Sequence, residues 1–427
     1  MRWWTICGLV AGAIIGFSGD RCCGQGIILP AGGAVNRAMG GATTGTAIEA
    51  IGSMYWNPAT ITRLQSHELA FGFEGIYNNI ELSSTFPNAG SGSSRGEQGV
   101  TPVPTIAWVH HLKHYEASVG VGLMGVAGFG TNLRADPSNP LLSPPPSLGG
   151  VGVGGIRSDA LFFQLNPNLA WKLSDRLSVA VGPVVTMGKI VLDQNSFVAP
   201  NADGSYPRGD GTRYHWGMGA QVGVHCVMND CWELGANVKT PTWFEPFRYF
   251  SEDVAGLPRT DKVNLTLPMV VSGGLAYRGF DYVVLTTDVR YFDYTSTEAF
   301  GDPPAYGADG RVQGLGWKDV FSVAVGVQMQ LTDHWIARGG YLFATDLFDD
   351  SATFFNVASD LSYQHVPSAG FTYKLSSRAL LSASYQYVAS WSSTGPYILA
   401  GLGPIPGSSV TTDSDAHIAT VGVNVRY

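Results

Sequence analysis

The chain has 427 residues, of which 45% are hydrophobic and only 14% are charged, and its formal net charge is −8. Soluble globular proteins carry about a quarter charged residues, so this composition disfavours a soluble enzyme. The mean hydropathy of +0.08 is also low for a helical membrane protein. Nucleic acid is disfavoured as a partner, because neutralising phosphates needs clustered Lys and Arg and the sequence has no such cluster.

The chain begins like an exported protein. One positive charge at Arg2 precedes an apolar run, Trp3–Phe17, which has the length of a signal peptide and is short for a membrane span. We expect cleavage near Gly24–Gly26, so that residues 1–25 form the signal peptide. Retention of this run as a membrane anchor is the alternative.

Removal of the leader reduces five cysteines to two, Cys226 and Cys231. They flank four residues with the composition of a hairpin turn. In an oxidising compartment the two thiols can form a disulfide across this turn. Two unpaired thiols are the alternative, since a sequence does not fix the distance between two Cα atoms.

Residues 26–64 show no strand periodicity and are rich in Gly and Ala. Near its end the segment reads Trp56-Asn57-Pro58-Ala59, and Asn-Pro is common turn chemistry. A flexible tail is usually polar, whereas this segment is apolar and small. It is therefore suited to tight packing inside a cylinder, with a periplasmic tail as the alternative.

From residue 67 onward, apolar and polar residues alternate over segments of about ten residues, as lipid-facing barrel strands require. In FSVAVGVQMQL (residues 321–331), for example, Phe321 and Val323 lie opposite Ser322. A soluble sandwich has the same period with the two faces exchanged. Aromatic residues near strand ends on the apolar face, such as Trp335 and Trp391, favour the barrel.

Such strands must close into a cylinder, because lipid tolerates only backbones whose hydrogen bonds are satisfied internally. An even number of strands returns both chain ends to the periplasm, and we predict about fourteen. They cover residues 67–84, 101–112, 115–132, 159–173, 177–193, 212–228, 231–249, 261–278, 281–296, 317–331, 334–346, 359–375, 378–393 and 413–427. The long connections at 85–100, 133–158, 194–211, 297–316 and 394–412 are predicted to face outward.

The predicted fold is all-β: a transmembrane antiparallel β-barrel over residues 65–427, with residues 26–64 as an N-terminal hatch inside its lumen. The last residues alternate and end in an aromatic, Tyr427. This end resembles the closing strand of bacterial outer-membrane barrels, which the barrel assembly machinery reads. The predicted location is therefore the outer membrane, with outer-membrane lipid around the barrel.

The small N-terminal segment, the Asn57-Pro58-Ala59 motif and about fourteen strands together resemble the FadL/TodX family of outer-membrane transporters for long-chain fatty acids and other hydrophobic compounds. Residues 237–247, 267–278 and 316–346 also resemble segments of that family, so that the resemblance covers essentially the whole mature chain. It implies a monomeric transporter without a cofactor. A structural or adhesive surface barrel is the alternative, and an outer-membrane lipid hydrolase is a third reading.

The resemblance implies a mechanism. A hydrophobic ligand enters from the outer loops and binds in the lumen; the hatch then rearranges and frees it through a sideways opening at a kink in the third strand. That strand is glycine-rich, and we expect the kink at Gly128, because glycine has no Cβ to oppose a bend. The alternative is that the glycines only ease packing on the hatch. Pro58 and Trp56 are predicted to fix the joint between hatch and wall.

The resemblance also implies ligand contacts. Lys318 matches the family's carboxylate-contacting lysine, and alternation places it on the inward face; pairing with Asp319 or a loop Asp is the alternative. Leu192 stands where the family has a basic residue, which favours a ligand less acidic than a fatty acid, such as a neutral hydrocarbon or an aromatic compound. Arg290 and Arg338 are also predicted to face the lumen.

We further expect Asp288 to neutralise one of these arginines, within a lattice that ties down Glu49 and Arg37 of the hatch. Catalytic patterns are weak. Residues 92–96 match G-x-S-x-G without the strand–turn–helix context of a nucleophile, and residues 150–155 match a dinucleotide fingerprint without a βαβ unit. Three histidines at 110, 111 and 114 fall in a predicted periplasmic turn, where a solvated turn is favoured over a metal site.

Overall fold

The computed structural model describes residues 25–146, 149–359 and 363–427. In these residues fourteen antiparallel strands, numbered β1–β14 here, form a closed barrel in which β1 pairs with both β2 and β14. The all-β barrel predicted from the sequence is confirmed. Residues 1–24 of the predicted signal peptide lie outside the described residues. No helix in the described part is long and apolar enough to cross a membrane.

The wall strands are β1 Glu68–Phe86, β2 Val100–Leu112, β3 Ala117–Leu133, β4 Ile156–Lys172, β5 Leu177–Asp193, β6 His215–Val227, β7 Trp232–Lys239, β8 Met269–Phe280, β9 Val283–Asp293, β10 Val320–Gln330, β11 Trp335–Ala344, β12 His365–Lys374, β13 Ala379–Gly395 and β14 Ser409–Arg426. Short strands at Thr242–Phe244 and Thr266–Leu267 extend β7 and β8 and pair with each other. Outside the membrane, Gly90–Arg95 pairs with β1, Phe247–Glu252 pairs with Pro258–Val263, and Ile398–Leu399 pairs with Gly403–Pro404.

The helices are short. They are α1 Ala34–Ala38, α2 Ala50–Trp56 and α3 Thr353–Asn356, with 3-10 turns at Pro58–Arg63, Lys113–Tyr115, Asp350–Ala352 and Val357–Ser359.

The alternation of each strand sorts its side chains between lipid and lumen. In β10 the side chain of Phe321 is 54% exposed, whereas that of its neighbour Ser322 is 1% exposed. Thr286 of β9 and Ser382 of β13 are likewise buried, and Val289 and Leu381 on the opposite faces are exposed. The apolar-out pattern predicted from the sequence is thus the pattern of the wall.

Three predicted strands are wrong in extent. The strand expected at 261–278 begins only at Met269. The strand expected at 231–249 breaks after Lys239, since Pro241 has no N–H to donate to a ladder, and residues 247–263 instead form an outer hairpin. The strand expected at 359–375 begins only at His365. The preceding residues form helical turns that bury Ala352 and Phe355, three positions apart, on one face.

Residues 25–64, which we call the N-terminal segment, lie within the ring of strands and are almost entirely buried. Small residues are required there because backbones approach closely. A Cβ on Gly40, whose φ is 64°, would lie 2.7 Å from the backbone nitrogen of Tyr341 in β11. A Cβ on Gly235 of β7 would lie 2.0 Å from the carbonyl oxygen of Thr44.

One buried ion pair fixes α1 in the lumen. The Arg37 Nε donates to Glu74 Oε2 of β1 at 2.7 Å, and its Nη1 donates to Gln386 Oε1 of β13 at 2.8 Å. The side chains of Arg37 and Glu74 are 0% and 1% exposed. The backbone nitrogen of Gly33 donates to the second carboxylate oxygen at 2.6 Å, so Glu74 is satisfied only while α1 is in place.

We expect Arg37→Ala to lower the free energy of unfolding by about 3–5 kcal/mol, because it leaves the Glu74 carboxylate buried without its cation. Urea unfolding in detergent micelles measures this. Arg95→Ala is the matched control: its pair with Glu81 is 85% and 42% exposed, and such surface pairs contribute about 0–1 kcal/mol. Equal effects of the two substitutions would contradict the anchoring role.

Candidate ligand pathway

The Asn57-Pro58-Ala59 motif joins the N-terminal segment to the wall. The Asn57 side chain donates from Nδ2 to the carbonyl oxygens of Thr44 and of Val224 in β6, both at 2.9 Å. Its Oδ1 accepts from the backbone nitrogen of Ala59 at 3.1 Å and so caps the 3-10 turn that Pro58 begins. One amide therefore ties together two parts of the segment and one wall strand.

Trp56 is fixed by a cation from the wall. The Arg290 guanidinium of β9 lies 3.6 Å from the centroid of the Trp56 ring, and its Nη2 also donates to Asp288 Oδ2 at 2.8 Å. The same Asp288 oxygen accepts from the backbone nitrogens of Thr43 and Thr44 at 3.0 and 2.9 Å. Arg290 and Asp288 therefore hold the segment together and are not aimed at an open cavity.

The wall has a window between β2 and β3. The ladder of these strands runs from Leu112↔Ala117 only as far as Thr105↔Met124. Above that point the described part of β3 pairs with β4, and residues 100–104 of β2 pair with β1. The window closes again at the top, where the Glu97 nitrogen donates to the Asn132 carbonyl at 2.8 Å.

The bend in β3 lies two residues before the predicted position. The register with β4 shifts between Gly125 and Ala127, so the bulged residue is Val126 and not Gly128. Gly128 has a different role: its added Cβ would lie 2.6 Å from the carbonyl oxygen of Ala160 in β4. Gly120 packs on the N-terminal segment, since its Cβ would lie 2.5 Å from Met54 Sδ, as the alternative reading of these glycines expected.

The N-terminal segment covers the window from inside. Ile28 and Ala127 form an antiparallel bridge. The Leu29 nitrogen donates to the Val126 carbonyl at 2.8 Å, and the Gly128 nitrogen donates to the Ile27 carbonyl at 3.1 Å. Residues 27–29 thus supply two hydrogen bonds at the start of the part of β3 that β2 does not reach.

Two apolar cavities meet at Phe129. The outer cavity, of about 70 Å³, lies under the outer loops and is lined by Leu192, Phe247, Leu265, Phe300, Leu315 and Phe355 among others. The window cavity, of about 90 Å³, is lined by Leu29, Ile76, Val103, Ala127, Gly130 and Val388 among others. Phe129 lines both cavities and so lies where the outer cavity and the window cavity approach each other.

The predicted ligand residues are dispersed. Leu192 lines the outer cavity. Lys318 forms an ion pair with Asp349, an outer-loop residue, and its side chain is 41% exposed. This is the alternative that the sequence left open for Lys318, and the residue does not line the outer or the window cavity.

Arg338 lies toward the periplasm. It donates to Gln328 Oε1 at 2.8 Å and to Thr372 Oγ1 at 2.6 Å, and it borders a polar cavity of about 420 Å³ beneath the N-terminal segment. Glu49 borders the same cavity and caps α2. Burial, followed by the neighbouring Glu68 carboxylate, raises the pKa of Glu49 to about 7. From the sequence, Arg290 and Arg338 were expected to belong to a salt-bridge lattice that holds Glu49 and Arg37. For Arg37 this is wrong, because Arg37 forms its ion pair with Glu74.

Two questions that the sequence left open concern the cysteines and the histidines. Cys226 and Cys231 are free thiols, because the register of the β6–β7 hairpin places Leu234, and not Cys231, opposite Cys226. The described residues contain no group of three side chains suited to a metal ion. His110 instead stacks on His67, with ring centroids 4.2 Å apart.

Lys239, inside the segment 237–247, was not singled out from the sequence. Its Nζ donates to the carbonyl oxygen of Tyr55 in α2 at 2.7 Å. Alternation along β7 places Lys239 on the same inward face as Glu233 and Asn237, and this signal identifies it as a lumen cation. No sequence pattern identifies Phe129 in the same way, because it is distinguished only by its place in the lining of both cavities.

Comparisons with known proteins agree with this geometry. The sequence model described as outer membrane protein transport protein (OMPP1/FadL/TodX) matches residues 29–427. Similar solved structures include the Pseudomonas putida toluene transporter TodX, at 13% identity and a TM-score of 0.70 over 93% of this chain and 99% of that one. A Pseudomonas aeruginosa FadL homologue is 12% identical, with a TM-score of 0.71 over 94% of this chain and 100% of that one. The Ralstonia pickettii toluene transporter TbuX is 16% identical, with a TM-score of 0.65 over 93% of this chain and 99% of that one. A search of curated protein sequences finds no match.

We expect Asn57→Ala to loosen the N-terminal segment, because it removes three hydrogen bonds that are each worth about 1 kcal/mol. Hydrogen exchange of peptides covering residues 44–62 measures the loss, which should raise exchange there and leave β10 unchanged. Asn79→Ala serves as the control, since Asn79 bonds only to Asp415 on the outer face of the barrel. Unchanged exchange in Asn57→Ala would show that the motif does not hold the joint.

Proposed function

The chain belongs to the OMPP1/FadL/TodX family of outer-membrane transport proteins, and we propose that it carries hydrophobic small molecules from its outer cavity to the window in its wall. As a member of that family it lies in the bacterial outer membrane and is a transport protein, not an enzyme. The cargo class comprises long-chain fatty acids and neutral hydrocarbons.

The observation that carries the proposal is the window itself. A gap in a barrel wall is costly in hydrocarbon unless the freed N–H and C=O groups find partners, and here residues 27–29 provide partners for the C=O of Val126 and the N–H of Gly128. An apolar cavity lies directly behind the gap. A removable inner cover over an apolar opening fits a passage for apolar molecules.

The cargo would first enter the outer cavity, where Phe247, Phe300 and Leu315 offer apolar contacts. It would then displace the Phe129 ring and enter the window cavity. Both cavities are small beside ligand pockets of about 300–1,000 Å³, so a long-chain molecule requires the N-terminal segment to move. Withdrawal of residues 27–29 from β3 would open the window toward the membrane.

Two of the similar solved structures are toluene transporters, which favours small apolar cargo. Leu192 in the outer cavity supports the same class, since a basic side chain is absent at that position. Assembly of the barrel would depend on Tyr427, whose hydroxyl accepts a hydrogen bond from Trp108 Nε1 at 2.6 Å across the closing strands. We infer that the protein acts as a monomer. An adhesive surface barrel remains the competing function, and uptake separates the two.

Gly130→Phe tests the passage. A Cβ at Gly130 meets no atom within 4 Å, and the residue lines the window cavity opposite the exposed Asp159, so the added ring would stand at the lipid-facing mouth of the opening. We expect uptake of radiolabelled toluene and oleate by cells to fall by about tenfold, a barrier of about 1.4 kcal/mol.

Gly273→Phe is the matched control. Gly273 also meets no atom within 4 Å of an added Cβ, but it lies on the exposed face of β8. Uptake should stay at the level of the unmodified protein. Equal uptake by both variants would contradict release through the window, and equal uptake by a deletion strain would favour the surface-barrel function.

A further inference from the structure

The polar cavity beneath the N-terminal segment has no part in the proposed passage, since it shares no lining residue with the outer cavity or the window cavity. It has a volume of about 420 Å³ and is bordered by residues 47–49 of the segment. Its lining includes the last residues of four wall strands: Val227, Gln330, Lys374 and Arg426. The side chains of Arg278 and Arg426 are 34% and 29% exposed, so solvent reaches the cavity at its periplasmic end.

Positive charge is in excess in this cavity. Its lining contains five cations and three carboxylates: Arg63, Arg278, Arg338, Lys374 and Arg426, and Glu49, Glu68 and Glu233. Arg426 Nε lies 3.3 Å from Glu68 Oε2. Arg278 Nε lies 3.2 Å from Glu233 Oε1. Glu49 directs its carboxylate at the backbone nitrogens of α2. Even with all three carboxylates ionised, two positive charges remain.

Arg338 carries one of these charges in a buried position. The residue is 8% exposed, and its Nε and Nη1 donate to two neutral oxygens, Gln328 Oε1 and Thr372 Oγ1. Within the described residues it forms no ion pair, and its Nη2 makes no hydrogen bond. A buried cation is costly unless a hydrogen-bonded anion accompanies it. Two neutral acceptors meet only part of that requirement.

Lys374 carries a second charge close to Arg338. Its Nζ donates to Gln330 Oε1 at 3.1 Å, and no carboxylate in the described part of the chain pairs with it. Thr372, the acceptor of Arg338, lies two residues before Lys374 on the same face of β12. Gln328 and Gln330, the two glutamine acceptors, are likewise two residues apart on β10. Residues two apart on one strand face are separated by about 7 Å, so both cations face the same part of the cavity.

We propose that the polar cavity binds a doubly charged oxyanion, phosphate, from the periplasm between Arg338 and Lys374. A guanidinium presents parallel N–H donors that match the oxygens of phosphate, and Lys374 adds a point charge. The two positive charges left in the lining match the two charges of the phosphate dianion. The inference goes beyond the transport of apolar molecules and does not depend on it.

The size and chemistry of the cavity favour a small hydrated anion. Water occupies about 30 Å³ per molecule in the liquid, so a cavity of about 420 Å³ holds phosphate together with several waters. The lining is mainly polar, with the hydroxyls of Thr372 and Ser382 hydrogen-bonded to each other at 2.7 Å beside Arg338. An apolar chain would leave these groups without water.

The test is isothermal titration calorimetry of inorganic phosphate into the full chain in a neutral detergent at about pH 8, with chloride holding the ionic strength constant. We expect one phosphate to bind per chain, and acetate, with a single charge, to bind at least about tenfold more weakly. Arg338→Gln and Lys374→Gln should each weaken phosphate binding by about tenfold or more, because each removes a charge-assisted hydrogen bond. Arg338→Lys should be weakened less than Arg338→Gln.

Arg378→Gln is the matched control. Arg378 is an exposed cation in the turn between β12 and β13, and it does not line the cavity. Phosphate should bind this variant as it binds the unmodified protein. Circular dichroism of each variant confirms the folded barrel, and Lys374→Gln, at a strand end, tests the site even if Arg338→Gln does not fold.

Glycerol phosphate distinguishes the source of the phosphate group. Equal affinity for glycerol phosphate and phosphate would assign the site to phosphate monoesters as well, and weaker binding would assign it to the free anion; both results retain the oxyanion site. Absence of phosphate binding to the unmodified protein would overturn the inference. So would binding that Lys374→Gln leaves unchanged, or that Arg378→Gln weakens equally. None of these results bears on the proposed function, which Gly130→Phe tests separately.

Discussion

Backbone hydrogen bonding in hydrocarbon is the constraint on which the structure depends. Each unpaired N–H or C=O in lipid costs several kcal/mol, so the strands close into a cylinder whose ladders satisfy one another. The upper part of β3 departs from this rule where β2 leaves it above Met124. Residues 27–29 of the N-terminal segment make two hydrogen bonds to β3 there, which makes that segment part of the wall as well as a filling of the lumen.

The charged groups of the lumen serve the same arrangement. Glu74 holds α1 through Arg37, Asp288 holds the turn at Thr43 and Thr44, and Arg290 stacks on Trp56. Glu74 and Asp288 each have a cation and backbone donors from the segment, so both carboxylates are neutralised while the segment is in place. Lys239 differs, because its closest hydrogen-bond partner is the carbonyl oxygen of Tyr55 in α2.

Alternation in the sequence predicts much of this fold, since the side-chain period of a strand is independent of its neighbours; Phe321 and Ser322 take the lipid and lumen faces that the pattern assigns. Features that depend on pairing are predicted less well. The bulge at Val126 is set by the strands on both sides of β3, and the glycines alone placed it at Gly128. Pro241 ended β7 early because it cannot donate to the ladder.

The candidate site shows the same division. The alternation of side chains along the strands places both Lys239 and Lys318 toward the lumen. Their partners come from other parts of the chain: α2 brings the Tyr55 carbonyl to Lys239, and an outer loop brings Asp349 to Lys318. Asn57 was identified as the joint from its motif, yet its bonds to Thr44 and Val224 join residues distant in sequence. Contacts between the N-terminal segment and the wall join residues that are distant in sequence, so the local sequence pattern does not predict them.

The most direct test of the account locks the cover onto the window. Ile28 and Ala127 form a bridge flanked by hydrogen bonds, a pairing in which Cα atoms lie about 4.5 Å apart, within the range that disulfides span. Uptake of labelled toluene would be measured for Ile28→Cys/Ala127→Cys, with Cys226 and Cys231 replaced by Ser, before and after reduction. The account predicts that the oxidised protein loses uptake and that reduction restores it. Full uptake by the oxidised protein would contradict release through the window.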